Sequence, residues 1–143
     1  MPGLEDLYRE IILDHYRTPR NRGELPPPAH KAEGHNPLCG DEITVYVQVD
    51  GDVVSDVKVS GQGCSISQSS ASMMSQAIKG KSLDEVRALV HRFKVMMSIE
   101  EDTDDTPNVK LGDLEALQGV VKFPVRIKCA TLAWNTLVEA LES

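Results

Sequence analysis

Three cysteines and one aspartate are the residues of this sequence best suited to chemistry. Cys39 and Asp41 stand close together in a turn-forming stretch, and Cys64 and Cys129 follow much later in the chain. Cys64 and Cys129 fall at or near the predicted starts of helices, where the helix macrodipole favours thiolate over thiol. Together the four side chains supply donor atoms that Zn²⁺ accepts in a four-ligand site. Their types therefore allow a metal site, although three unrelated buried cysteines would give the same count.

The charge of such a site bears on its reactivity. Three thiolates and one carboxylate would carry −4 against the +2 of a zinc ion, so nearby cations would be needed to prevent lability. Arg126 and Lys128, on either side of Ile127 just before Cys129, are candidates for that role and would also favour a thiolate. The sequence has no CxxC pair, which argues against zinc-ribbon and thioredoxin-like sites.

Composition places the chain among soluble globular proteins. Its 143 residues suffice for one domain, predicted to span 1–143, and 41% of them are hydrophobic. No apolar run approaches the about 20 residues that a membrane span needs. The acidic start lacks the pattern of an export signal, so a cytoplasmic location is expected. A net charge of −7 is unfavourable for nucleic-acid binding, and neither nucleic acid nor membrane is an expected partner.

Hydrophobic periodicity predicts an α+β fold, in which a small antiparallel three-stranded sheet packs against helices. Alternating apolar residues predict a strand over 43–49 and a returning strand over 53–59, joined at Asp50-Gly51. The glycines at 61 and 63 predict a turn or a third short strand that leads to Cys64. Helical spacing and capping signals predict helices over 4–16, over 65–79, from Ser82, near 113–117 and from about Val125.

Two further segments have an unusual composition, and two histidines lie in predicted helices. Residues 17–28 join three arginines to three successive prolines, so this stretch is predicted to be an extended linker. Five acids at 100–105 are interpreted as a solvated loop, with a docking loop for a basic partner as the alternative. His15 and His91 are expected at half-exposed or surface positions of helices, and no Ser/His/Asp array is evident.

The three cysteine segments, in this order, resemble those of the NifU N-terminal, IscU and SufU family of iron–sulfur cluster assembly proteins. The matching stretches are Asn36-Pro-Leu-Cys-Gly-Asp41, the Gly-Gln-Gly-Cys-Ser-Ile-Ser turn around Cys64, Ile127-Lys-Cys-Ala-Thr-Leu-Ala-Trp134, and the N-terminal Leu-Tyr-Arg-Glu-Ile-Ile-Leu-Asp-His-Tyr helix. The resemblance covers nearly the whole chain. It implies a compact α/β sandwich of the SufE/NifU-like kind.

Within this family the sequence is more similar to the SufU branch than to the IscU scaffolds. IscU-like proteins typically carry histidine directly before the third cysteine, where this chain has Lys128. A lysine ammonium has no lone pair to offer a metal, so it does not replace that histidine chemically. The second and third cysteines also lie closer together in IscU-like proteins, whereas here 64 residues lie between Cys64 and Cys129.

The resemblance implies a zinc-dependent sulfurtransferase, an enzyme whose metal is held by four residues: Cys39, Asp41, Cys64 and Cys129. Its implied partner is a cysteine desulfurase that carries pyridoxal phosphate (SufS-like) and passes persulfide sulfur to Cys39. The SUF scaffold or apoproteins would receive the sulfur downstream.

Three neighbouring residues are expected to support that site. Gly40 would give the Cys39 loop freedom to move, and Arg126 and Lys128 would offset its negative charge. The alternative function is a non-enzymatic scaffold on which a [2Fe–2S] cluster, or iron alone, is bound by the same four ligands.

Overall fold

The computed structural model describes residues 2–37, 40–99 and 111–142, with side chains from Leu7 onward. Cys39 and the acidic residues 100–105 lie outside the described residues. The elements in chain order are α1 (Pro2–Arg17), β1 (His30–Asn36), β2 (Asp41–Asp50), β3 (Val53–Gln62), α2 (Ser65–Ile78), α3 (Leu83–Met96), a 3₁₀ helix (Gly112–Lys122) and α4 (Pro124–Glu142).

The strands form an antiparallel sheet in the order β1-β2-β3, which confirms the predicted α+β class with three strands. β2 and β3 make the expected hairpin, in which Asp50 pairs with Val53. At the other end of β2, Asn36 of β1 pairs with Asp41. The register therefore brings the two ends of the Asn36–Asp41 stretch together at one end of the sheet.

The glycines at 61 and 63, predicted to form a turn or a third short strand, do not form a separate strand. Gly61 continues β3, and the third strand is β1, whose sequence HKAEGHN carries almost no apolar periodicity. β1 is an edge strand held by its ladder to β2 and by close packing on α4. A Cβ at Gly34 would collide with Thr136 of α4, so only glycine allows this approach.

One face of the sheet is covered by α2 and α4. α4 contacts β1 and β2, and α2 contacts β3 and α4. The strand side chains that point into this layer are buried: Ile43, Val45, Val47, Val57 and Val59. The Trp134 ring of α4 stacks on Phe93 of α3 with 4.4 Å between ring centroids. Burial of this apolar surface is the main source of the fold's stability.

The remaining helices and the linker pack around this core. α1 contacts α2 and the 3₁₀ helix, and α3 begins with the predicted capping box between Ser82 and Glu85. Within the linker, Gly23 N–H donates to the Val59 carbonyl and Val59 N–H donates to the Asn21 carbonyl, so this segment runs along β3. Across the described residues, every helix is too short or too polar to cross a bilayer.

Candidate metal centre

Asp41 is a buried carboxylate at the first position of β2. Its Oδ1 accepts a hydrogen bond from the Cys64 backbone N–H at 2.9 Å, and its Oδ2 lies 3.9 Å from the Cys64 Sγ. Burial of a carboxylate is costly unless opposite charge or several donors face it. A bound cation would stabilise a buried carboxylate that faces a thiol in this way.

Cys64 stands at the N-cap of α2, directly after a loop that only glycine permits. Gly63 has φ +152°, and a Cβ there would collide with Asp41 Oδ1 and with Ser67 Oγ. The loop from β3 can therefore lie against the start of β2, which brings Cys64 to Asp41. The Cys64 side chain is half-buried, and its Sγ lies 3.9 Å from Ser67 Oγ.

Cys129 lies in the second turn of α4 and is almost fully buried. The helix begins at Pro124, a residue well suited to a first helical position because it needs no N–H partner there. Asn36 Nδ2 donates to the Cys129 Sγ at 3.7 Å, and the Val125 carbonyl lies 3.8 Å from the same sulfur. Asn36 thus contacts one sulfur while its backbone pairs with Asp41.

The structure brings three of the four predicted ligands together. The ligand atoms of Asp41, Cys64 and Cys129 all lie within 4.8 Å of one another, and we call these residues the thiol cluster. Sulfur and oxygen ligands of a tetrahedral zinc lie about 3.6–3.8 Å apart at bond lengths of about 2.3 and 2.1 Å. The 3.9 Å between Asp41 Oδ2 and Cys64 Sγ is close to this range, and no separation in the cluster exceeds 4.8 Å. Its donors are types that zinc binds, so the residues fit a zinc ion.

The other predicted site residues differ in what the structure says of them. Cys39 lies outside the described residues, so its approach to the cluster stays a prediction. Gly40 is exposed and has φ +68°, a backbone conformation that favours glycine. Arg126 and Lys128 are both exposed, and Arg126 lines a surface pocket of about 440 Å³ whose wall includes Cys64 and Cys129.

Asn36 and Ser67 touch the cluster without having been singled out as site residues. Asn36 contacts the Cys129 sulfur, and Ser67 lies next to Cys64 and donates to its carbonyl at 3.1 Å. Asn36 is the first residue of the motif that ends at Asp41. A predicted hairpin between β1 and β2 would therefore have placed Asn36 beside Asp41. Since β1 shows little periodicity, that pairing was not evident.

A serine, a histidine and an aspartate also meet, contrary to the sequence-based expectation. His15 is buried rather than half-exposed: its Nδ1 lies 2.8 Å from Ser72 Oγ, and its Nε2 lies 3.1 Å from Asp113 Oδ2. We call these three residues the His15 cluster. The contacting nitrogens are exchanged relative to a hydrolase triad, and Ser72 is fully buried and also accepts the Arg20 N–H at 2.8 Å. The cluster therefore ties α1, α2 and the 3₁₀ helix together and presents no nucleophile.

Comparison with known proteins agrees with the cysteine motifs. The family model of the NifU-like N-terminal domain matches residues 7–141. A Bacillus subtilis protein named zinc-dependent sulfurtransferase SufU is 51% identical over 94% of this chain and 89% of its own length. A Streptococcus pyogenes protein named iron–sulfur cluster assembly scaffold protein IscU is 42% identical over 97% of this chain and 85% of its own.

A solved structure supports the same relationship. It is named as an iron–sulfur cluster assembly scaffold protein for the SUF system, comes from Fervidobacterium islandicum, and is 36% identical, with a TM-score of 0.82 over 92% of this chain and 94% of that one. The residues matched by the family model, 7–141, include Asp41, Cys64 and Cys129. The chain therefore belongs to the NifU-like N-terminal domain family.

Proposed function

We propose that this chain is a zinc-dependent sulfurtransferase of iron–sulfur cluster assembly that accepts persulfide sulfur from a cysteine desulfurase. The thiol cluster carries this proposal, because three separate elements direct a carboxylate and two thiols to within 4.8 Å of one another. The 51% identical relative from Bacillus subtilis bears the name of this activity. Thiols held in a metal-binding pocket also have the chemistry that sulfur transfer requires.

Cys39 is the proposed fourth ligand and the sulfur acceptor. Two residues span at most about 7 Å between Cα atoms, so the link through Gly40 keeps Cys39 within reach of Asp41. Zinc, when bound, would keep the coordinating thiols deprotonated at neutral pH. The cluster residues Asp41, Cys64 and Cys129 would hold the ion, and Cys39 would be the one that reacts.

The transfer itself is a thiolate exchange. The Cys39 thiolate attacks the outer sulfur of the persulfide on the desulfurase cysteine. The sulfur–sulfur bond of that persulfide breaks, the desulfurase cysteine leaves as a thiolate, and a new persulfide remains on Cys39. Charge and electrons balance, so the step requires no added oxidant or reductant.

The pocket beside the thiol cluster is a route by which a persulfide on a partner protein can reach the site. Phe123 and Val125, on its rim, are 56% and 57% exposed, while Cys64 and Cys129 lie in its wall. Arg126 also lines the pocket and supplies a positive charge that would attract an anionic persulfide. This combination suits a partner segment that carries a reactive sulfur on an otherwise apolar loop.

The second candidate function is a scaffold for [2Fe–2S] cluster assembly. The Streptococcus pyogenes relative named as an IscU scaffold favours it, and thiolates are the usual ligands of iron–sulfur clusters. Lys128 favours the transferase instead, because it occupies the position where the IscU-like pattern has a histidine ligand.

Metal analysis of protein purified without oxygen distinguishes the two functions. The transferase predicts a colourless protein with one zinc ion per chain. A brown protein with iron and acid-labile sulfide would overturn the proposal in favour of the scaffold. The visible absorption spectrum and elemental analysis of the same sample give both answers.

Sulfur acceptance tests the role of Cys39. Incubation with a cysteine desulfurase, pyridoxal phosphate and cysteine should add one sulfur atom to the chain, detected by mass spectrometry of the intact protein. Cys39→Ala should accept none and should no longer stimulate the desulfurase. Ser65→Ala, a half-buried change one residue after Cys64, is the control and should behave as wild type. A Cys39→Ala variant with normal stimulation would show that another residue is the acceptor.

A further inference from the structure

A buried serine joins the two helices that carry Cys64 and Cys129. Ser70 of α2 donates its hydroxyl proton to the Ala130 carbonyl of α4 at 2.5 Å, and it accepts the Trp134 indole N–H at 3.1 Å. Both Ser70 and Trp134 are fully buried. The accepting carbonyl belongs to the residue directly after Cys129, so this bond acts next to one of the ligands.

The position of α4 along α2 decides whether the two thiols meet. Each residue of a helix adds about 1.5 Å along its axis, whereas a functional constellation tolerates displacements of only about 0.5 Å. Ala130 and Ala133 of α4 are buried with side chains too small to interlock deeply with a neighbouring helix. A directional hydrogen bond between the helices is therefore an effective way to fix their relative position.

Ser70 differs in this respect from the serine before it. Ser69 is also fully buried, but its hydroxyl donates to the Ile66 carbonyl at 3.2 Å and so remains within α2. The Ser70 bond crosses from one helix to the backbone of the other. The two neighbouring serines thus form a natural pair of test and control.

We propose that Ser70 is a positioning residue for the thiol cluster, which holds Cys129 in place relative to Cys64 and thereby sets the metal affinity of the site. This proposal rests on the proposed function in that it takes zinc as the occupant of the cluster. It adds a role for α2 and α4 beyond burial: the bond to Ala130 pre-organises the ligands before a metal arrives.

Metal binding to Ser70→Ala and Ser69→Ala tests the proposal. Zinc affinity is measured on the metal-free full chain by competition with a chromophoric chelator, and Co²⁺ is added separately as a spectroscopic probe. Ser70→Ala should weaken zinc binding about tenfold, at the lower end of what residues that orient metal ligands contribute. Its thiolate-to-cobalt absorption bands should also shift, because they report the ligand geometry. Ser69→Ala should match wild type in both measurements.

The possible results distinguish a failure of the role of Ser70 from a failure of the proposed function. Equal zinc affinity and equal cobalt spectra for Ser70→Ala and wild type would overturn the role of Ser70, as would equal losses in both serine variants. A wild-type chain that binds neither Zn²⁺ nor Co²⁺ would overturn the proposed function itself. These measurements do not depend on sulfur transfer. A failure of the sulfur-acceptance experiment would therefore leave the conclusion about Ser70 unchanged.

Trp134→Phe covers the case in which Ser70→Ala does not fold. This variant removes the indole N–H and leaves the Ser70 bond to Ala130 intact. It should keep the zinc affinity and cobalt spectrum of the wild type. A tenfold loss in Trp134→Phe would assign the effect to the packing of the indole and overturn the role of the serine bond.

Discussion

Two polar clusters lie along α2 and differ in what surrounds them. The thiol cluster is at the N-terminal end of the helix, where Cys64 is half-buried and a pocket of about 440 Å³ adjoins it. The His15 cluster lies farther along, where His15 and Ser72 are buried. Both ring nitrogens of His15 face a polar partner, and the Ser72 hydroxyl lies between His15 and the Arg20 N–H.

The difference shows that residue type alone does not identify a reactive site. The His15 cluster has the residue types of a hydrolase triad, but its ring nitrogens are exchanged between the two partners and its serine is fully buried. In the thiol cluster, Asp41 Oδ2 and the Cys64 Sγ lie 3.9 Å apart, too far for a strong hydrogen bond and close to the spacing of ligands around a metal. An adjoining pocket and the wider spacing of its ligand atoms distinguish the thiol cluster, the site that we propose to be reactive, from the structural His15 cluster.

Removal of the negative charge of Asp41 from the thiol cluster should have the largest effect, a loss of zinc affinity. Asp41→Asn keeps an oxygen to accept the Cys64 N–H but removes the negative charge that faces the thiols. Zinc affinity should fall more than about 100-fold, beyond the loss typical of residues that only orient ligands. The melting temperature with zinc present should fall as well, because an ion bound only to the folded state stabilises it. Chelator competition and calorimetry with and without zinc measure both effects.

Glu42→Gln is the matched control for Asp41→Asn. Glu42 is the next residue of β2, but its side chain is exposed and accepts a long hydrogen bond from Gln62 Nε2 at 3.4 Å. This variant should bind zinc as the wild type does. Unchanged metal content and melting temperature in Asp41→Asn would remove Asp41 from the proposed ligand set.

Disruption of the His15 cluster should affect stability and leave metal binding alone. His15→Ala leaves the buried Ser72 hydroxyl without its ring partner, which should lower the free energy of unfolding by about 1–3 kcal/mol. Zinc affinity should not change. Urea unfolding of the metal-free protein measures the first effect, and chelator competition measures the second.

The exposed Arg17, two residues along the same helix, provides the comparison for His15. Arg17→Ala should change the unfolding free energy by no more than about 0.5 kcal/mol, as is usual for surface positions. Weaker zinc binding in His15→Ala would show that the two clusters are coupled through α2, and their separation into reactive and structural parts would be wrong.

Most of the fold could be predicted because its periodic elements carry strong local signals. The β2–β3 hairpin and the capping box of α3 are examples, since alternation over 43–49 and the Ser82-to-Glu85 spacing each depend on residues close in sequence. β1 could not be found in this way. Its position depends on the ladder to β2 and on the approach of Gly34 to α4, which are contacts between distant residues.

The same distinction applies to the site. The cysteine motifs pointed to Asp41, Cys64 and Cys129 because ligand types are visible in the sequence. The burial of His15 was missed because it depends on Ser72 and Asp113, which lie 57 and 98 residues away in the chain. Ser70 was missed for a similar reason, since its partner Ala130 contributes a backbone carbonyl that no residue type reveals.

The smallest effect is expected for Asp14, an exposed residue directly before His15. Arg20 Nη2 donates to Asp14 Oδ2 at 2.6 Å, and this hydrogen bond lowers the pKa of the exposed Asp14 carboxyl below its ordinary value of about 3.9. A lowered folded-state pKa contributes stability that is present above about pH 4 and is lost as the pH falls through the folded-state value. Asp14→Asn should therefore lower the melting temperature slightly at pH 7, less than His15→Ala does, and the difference from wild type should disappear in more acidic buffer. Melting curves from pH 7 downward, with a chelator in both samples to remove any contribution of metal loss, measure this trend. A difference that grows as the pH falls would show that the pair with Arg20 is not its source.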